Sequence, residues 1–271
     1  MNCHKHPNRG PLYWLSAILI ASLASAQPAS SVTNNDHRPL AGALDKLEAA
    51  LGIVVNYEDP PYENIADLED VSTPEQRAKA PGFRILVPRK GEISATVAGS
   101  SDSDKMFSII GLFNSYRNAG LPGDFTVEQA NGAYYVLPTK ILSTNGSFRD
   151  VGSPLKTLIT LPNGERRAAD AENEILKAVS KAAGINIVFG SFPFRPTTLV
   201  TLGADREPAR DVLARFFGKL TAAPVSYRLL YDANLRDYML NVQVRAVPEA
   251  PPVAPESPIQ TPSPFFKKEK P

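Results

Sequence analysis

The sequence repeats itself, and the repeat limits what the chain can build. A shift of 132 positions, with no gap, brings Leu44 onto Leu176, Leu47 onto Val179, Gly52 onto Gly184, Ile53 onto Ile185 and Val55 onto Ile187. Tyr57 then meets Phe189, Pro61 meets Pro193 and Tyr62 meets Phe194. Each copy carries the same local instructions. Leu40, Leu44, Leu47 and Leu51 fall on one helical stripe within Pro39 to Leu51, and Ile175, Leu176, Val179 and Ala183 do so within Glu172 to Ala183. Gly52 and Gly184 sit where a helix ends in a left-handed residue, which glycine adopts without a Cβ penalty. An alternating strand follows directly in both copies.

The second half of each copy repeats with a shift of about 104. Ile93 to Ala98 and Thr197 to Leu202 read as strands ending at Gly99 and Gly203. Amphipathic helices follow, with Ser103 and Asp205 as candidate N-caps. A hairpin closes each copy. In the first, Phe125 to Gln129 and Ala133 to Leu137 flank Asn131-Gly132, a type I′ turn signal. In the second, Val225 to Tyr231 and Asp237 to Val244 flank a longer turn. One more strand is expected at Leu155 to Leu161, turned by Pro162-Asn163-Gly164. The expected class is α+β: two tandem small domains, over 38–140 and 154–246, each with two helices packed on one face of a small mixed β-sheet. The copies differ in one place. The first carries an insertion at about 59–91, with an extra strand expected at Phe83 to Val87, and so long an insertion is functional or disordered.

The ends read differently. Lys5 and Arg9 precede the apolar run Leu15 to Leu23, and Ala24-Ser25-Ala26 supplies small residues for cleavage after Ala26, so 1–26 reads as a secretory signal peptide. A membrane anchor competes with this reading, but the run is under half the roughly 20 residues that cross a bilayer. Cleavage removes Cys3, His4 and His6. The mature chain then has no cysteine and one histidine, His37, which excludes disulfides, thiolate nucleophiles and Cys/His zinc sites. The proline-rich tail at 247–271 reads as extended and disordered. Expected localisation is periplasmic or secreted, in a bacterium, with no membrane span after cleavage.

The order of elements resembles the short N-terminal domain shared by secretins and TonB-dependent transducers. PLAGALDKLEAALGIVVNYE (39–58) and EILKAVSKAAGINIVF (174–189) are similar to its first half, and TLVTLGADREPARDVLARFFGKLTAAPVSYRLL (198–230) to its second. The resemblance implies two tandem copies of an envelope interaction domain rather than chemistry. The sequence departs from that family in having no secretin pore region and no peptidoglycan-binding module after the second copy.

Candidates for chemistry are few. His37 has no histidine or cysteine partner. The pairs Glu58-Asp59 and Glu69-Asp70 are adjacent and point apart in an extended segment, although carboxylates brought together from separate elements remain open. No nucleophile elbow, phosphate loop or dinucleotide fingerprint is present. Without Lys5 and Arg9 the chain carries 27 Lys plus Arg against 28 Asp plus Glu, a balance that gives nucleic acid no foothold. The remaining candidates are aromatic and proline side chains: Tyr57, Pro61 and Tyr62 in one knot, Phe192 and Phe194 in its counterpart, and Tyr135 on an expected edge strand open to β-augmentation. They either pack the strand ends or form a contact surface. The sequence thus points to a non-catalytic, cofactor-free adaptor for an unidentified envelope protein, with cell-wall or glycan binding to peptidoglycan as the alternative. Specific recognition is expected on the first copy's insertion.

Overall fold

A computed structural model describes residues 30–245. Ala26 with the rest of the leader and the 247–271 tail lie outside the described residues. β1 (Ser31–Asn34) leads into α1 (Pro39–Leu51), which has the expected bounds and starts at a proline whose missing N–H costs nothing there. Gly52 ends it at φ +61°, and Gly184 ends the matching helix at φ +67°. β2 (Val55–Glu58) follows. The insertion folds as a short hairpin, β3 (Leu68–Asp70) and β4 (Leu86–Pro88), around α2 (Pro74–Lys79). The first repeat continues with β5 (Ile93–Thr96), α3 (Asp102–Asn118), β6 (Asp124–Ala130) and β7 (Ala133–Leu142). β8 (Phe148–Asp150) lies in the connection to the second repeat. That repeat comprises β9 (Leu158–Arg167), α4 (Ala168–Ala183), β10 (Ile187–Ser191), β11 (Leu199–Pro208), α5 (Ala209–Leu220), β12 (Val225–Asp232) and β13 (Asp237–Val244).

The class is α+β, as the patterning predicts, but the helices are covered on both sides. In each repeat they lie between a two-stranded antiparallel ribbon, β1–β5 or β9–β11, and the main sheet. That sheet is one continuous structure running β10-β13-β12-β2-β7-β6, with β8 also paired to β7. β2 is parallel to β7 as β10 is to β13, and each hairpin is antiparallel. Tyr134 and Val136 pack with the helices of the first repeat, whereas Ala133, Tyr135 and Leu137 pack with those of the second. The two sets of helices therefore cover opposite faces of the sheet. A half-turn about an axis lying in the sheet and crossing its strands, with a step along it, relates the repeats.

Several local expectations are overturned. β7 lies between β2 and β6 and is buried on both faces, so Tyr134 and Tyr135 are not on an edge strand. β9 does not turn at Pro162-Asn163-Gly164; it runs through them, and the register slips there. Gly203 is a bulge opposite that slip, where a Cβ would stand 2.8 Å from Asn163, and β11 continues past it. Ser101, in a capping box with Asp104, caps α3 in place of Ser103, while α5 starts from Pro208 with no side-chain cap. The extra strand of the insertion is Leu86–Pro88, shifted from Phe83 to Val87. The Asn131-Gly132 turn is as expected, with φ of +52° and +74°.

One repeat position sets an apolar residue against a charged one. Leu40 is 1 % exposed, and its counterpart Glu172 is 3 % exposed with Oε1 lacking a partner among the described residues. Burial pushes the Glu172 carboxyl up to about 8. The unfolded chain releases that proton near 4.5, so folding stability falls as pH rises from there to about 8. Glu172→Leu is expected to raise stability by about 1–3 kcal/mol, the cost of a buried unsatisfied polar group, and to flatten that decline, as read by urea denaturation across the pH range.

Candidate functional site

The two repeats meet where β12 lies parallel to β2, and the backbone pairs directly at only two positions, Arg228 with Tyr57 and Leu229 with Glu58. Two side chains and one further backbone bond complete the ladder. Asn56 Oδ1 accepts the Tyr227 N–H at 2.9 Å, the Asp59 N–H donates to Leu229 O at 2.8 Å, and Asp59 Oδ2 accepts the Tyr231 N–H at 3.0 Å. Each would otherwise be a buried backbone group without a partner.

Two ionic clamps flank this seam. On the side of α1, Glu48 Oε1 accepts the Val55 N–H at 2.6 Å, and its Oε2 takes Arg228 at 2.6 Å and Arg245. Arg228 also reaches Asp45 at 2.6 Å and the Val55 carbonyl. Burial raises the Glu48 carboxyl above its ordinary value, against the pull of Arg228. In the second repeat Ser180 Oγ makes the equivalent bond to the Ile187 N–H at 3.0 Å, so this position holds the first strand N–H in both copies. At the other end Asp59, fully buried, takes Arg38 at 2.8 Å and the hydroxyls of Tyr57 and Tyr62 at 2.7 and 3.2 Å. Arg38 also donates to Tyr231 O at 2.6 Å. With four donors on its two oxygens, Asp59 has no lone pair in reach of a substrate. Its neighbour Glu58 accepts from the Tyr227 hydroxyl at 3.2 Å, its Oε2 has no partner among the described residues, and burial pushes it up to about 7.

Two cavities of similar size open beside the seam. One, about 380 Å³, lies between the Asn131–Ala133 turn and the end of α5. The Arg210 guanidinium sits there 5.1 Å from the Tyr135 ring centre. Glu128 at 2.8 Å and Asp211 at 3.8 Å offset its charge, which leaves no positive field for an anion. The other, about 370 Å³, is lined by Tyr62, Ile65, Leu68 and Leu86 from the insertion side and by Tyr231 and Arg236 from the second repeat. Asn234 closes it by accepting the Leu86 N–H at 2.9 Å and donating to Leu86 O at 3.0 Å, a two-bond clasp between insertion and hairpin turn. Ile65 stands out in this cleft, 61 % exposed. His37 touches the insertion through Pro88 O at 3.3 Å and Glu69 at 3.6 Å.

The sequence candidates separate into two groups. Tyr57, Tyr62 and Tyr135 are buried, at 1, 6 and 2 %, and pack the core. Of these only Tyr62 lines the insertion cleft, and Pro61 is half-buried beside a shallower hollow. Phe192 and Phe194 are partly exposed and continue a chain of edge-to-face rings that starts at Phe189. Glu48, Asn56 and Arg228 escape sequence reading and Asp59 enters it only as half of an adjacent acidic pair, although an arginine between Tyr227 and Leu229 in an apolar strand is a signal of a buried partner. Comparison with models of known families, with curated proteins and with solved structures returns no match to this chain. Asp59→Ala, which strands Arg38 and two hydroxyls, is expected to cost about 3–5 kcal/mol, measured as a lower urea midpoint with an unchanged slope.

Proposed function

We propose that this chain is an exported, non-catalytic adaptor of the bacterial envelope, with two tandem domains of the type found at the N-termini of secretins and TonB-dependent transducers. The observation that carries the reading is the insertion cleft. Its walls come from both repeats, the ionic clamps and the Asn234 clasp hold them in place, and the apolar side chain of Ile65 stands exposed in it. A preformed cleft of this size, in which Ile65, Leu68, Leu86 and Tyr231 stand beside Glu63 and Arg236, suits one or two side chains of a partner protein. The perturbed buried carboxylates nearby are committed to the seam or lie away from both cavities, which favours binding over catalysis at this place.

A second reading, peptidoglycan binding, draws on the Phe189, Phe192 and Phe194 rings, of which Phe189 is 42 % exposed. The two separate by experiment. Crosslinking of the full chain in its native envelope, followed by mass spectrometry, is expected to recover a protein partner through the insertion. Ile65→Asp, at an exposed position, is expected to abolish that capture without lowering the melting temperature. Failure to capture any partner above controls, together with sedimentation on purified peptidoglycan that Phe189→Ala abolishes, transfers the function to the second reading.

A further inference from the structure

The joint between the repeats is heterologous: it sets the β12 edge of one repeat against the β2 edge of the other. The counterparts of those edges, β6 and β10, are the two ends of the sheet and carry no neighbour among the described residues. A heterologous contact repeated through a half-turn with a step along its axis builds an open chain, because the step carries each copy past the last.

The residues that meet across the internal joint have counterparts on these outer surfaces. Arg210 on α5 lies over the Tyr135 ring of the first repeat, and Asp211 Oδ1 accepts from Asn131 Nδ2 at 3.4 Å. A shift of 104 turns the first pair into Met106 and Met239, and the second into Phe107 and Leu235. Ala214, beside them on α5, becomes Ile110. Inside, these positions are mostly polar; outside, they are all apolar. Phe107 and Leu235 are each 67 % exposed, Ile110 41 % and Met239 37 %. Val188, the counterpart of Asn56 on the β10 edge, is 36 % exposed. The ionic clamp is missing outside, since Ser180 replaces Glu48 and Thr126 replaces Arg228. Apolar burial takes its place.

We infer that this chain binds further copies of itself by repeating its internal joint: β6 of one copy pairs in parallel with β10 of the next. In that contact Met106, Phe107 and Ile110 on α3 cover Val188, Met239 and Leu235 of the next copy. The exposed apolar side chains of two distant surfaces then meet each other, and the assembly is an open chain, not a closed dimer. The insertion cleft lies at the internal joint and stays free, so a chain that captures a partner but does not grow overturns this inference alone.

Light scattering on the full chain over a concentration series tests it. The wild-type mass is expected to rise past two copies with no plateau at two. Phe107→Asp disables one end and Met239→Asp the other. Each variant alone is expected to stay a single chain, with circular dichroism and melting temperature unchanged because both positions are exposed. Mixed together, the two variants keep one complementary pair of ends and are expected to form a pair that grows no further. A wild type that stays single or stops at two, or a mixture that does not pair, overturns the inference.

Discussion

The parallel pairing of β12 with β2 is the constraint on which the rest depends. Two backbone pairs alone would hold two halves of a protein together poorly. The seam works because side chains behave as backbone: Asn56 and Asp59 accept N–H groups, and Arg228 donates to a carbonyl. Burying so much charge is unfavourable unless every ion is paired and bonded, and here nearly every lone pair is used. An edge built this way accepts one register, because a slip by one residue would leave Glu48, Asp59 and Arg228 buried without partners. The seam is therefore specific rather than merely cohesive.

That constraint propagates outward. Joining the repeats edge to edge places their helices on opposite faces, and β7 becomes a central strand with a different core on each face. It also brings the insertion of the first repeat against the hairpin turn of the second, where Asn234 holds Leu86 and the cleft forms. Nothing in the insertion alone makes a cavity. The same relation leaves the outer edges as copies of the joined ones, with their polar residues exchanged for apolar ones.

Much of each repeat was legible in the sequence because it is local. Helix α1, the left-handed glycines and the Asn131-Gly132 turn follow from spacing and from the φ values that only certain residues accept without strain. The failures share a cause. Pro162-Asn163-Gly164 reads as a turn when considered alone, but a ten-residue partner strand with Gly203 opposite absorbs it as a bulge. Tyr135 reads as half-exposed because alternation assumes one wet face, and here both faces are covered. The aromatic-proline knot of the first repeat reads equally as surface or core until Asp59 is seen to take both tyrosine hydroxyls.

By itself the sequence determined the α+β class, the twofold repeat and the place where the copies differ, since each is written in short-range periodicity and in residues that match at a fixed offset. Only the tertiary structure decided how the copies meet. The partners of Glu48, Asp59 and Arg228 lie more than 170 residues away or are reached by a backbone that must first fold, and no local pattern encodes a contact between two edges. The cleft and the free edges are products of that contact, so they became visible only with it.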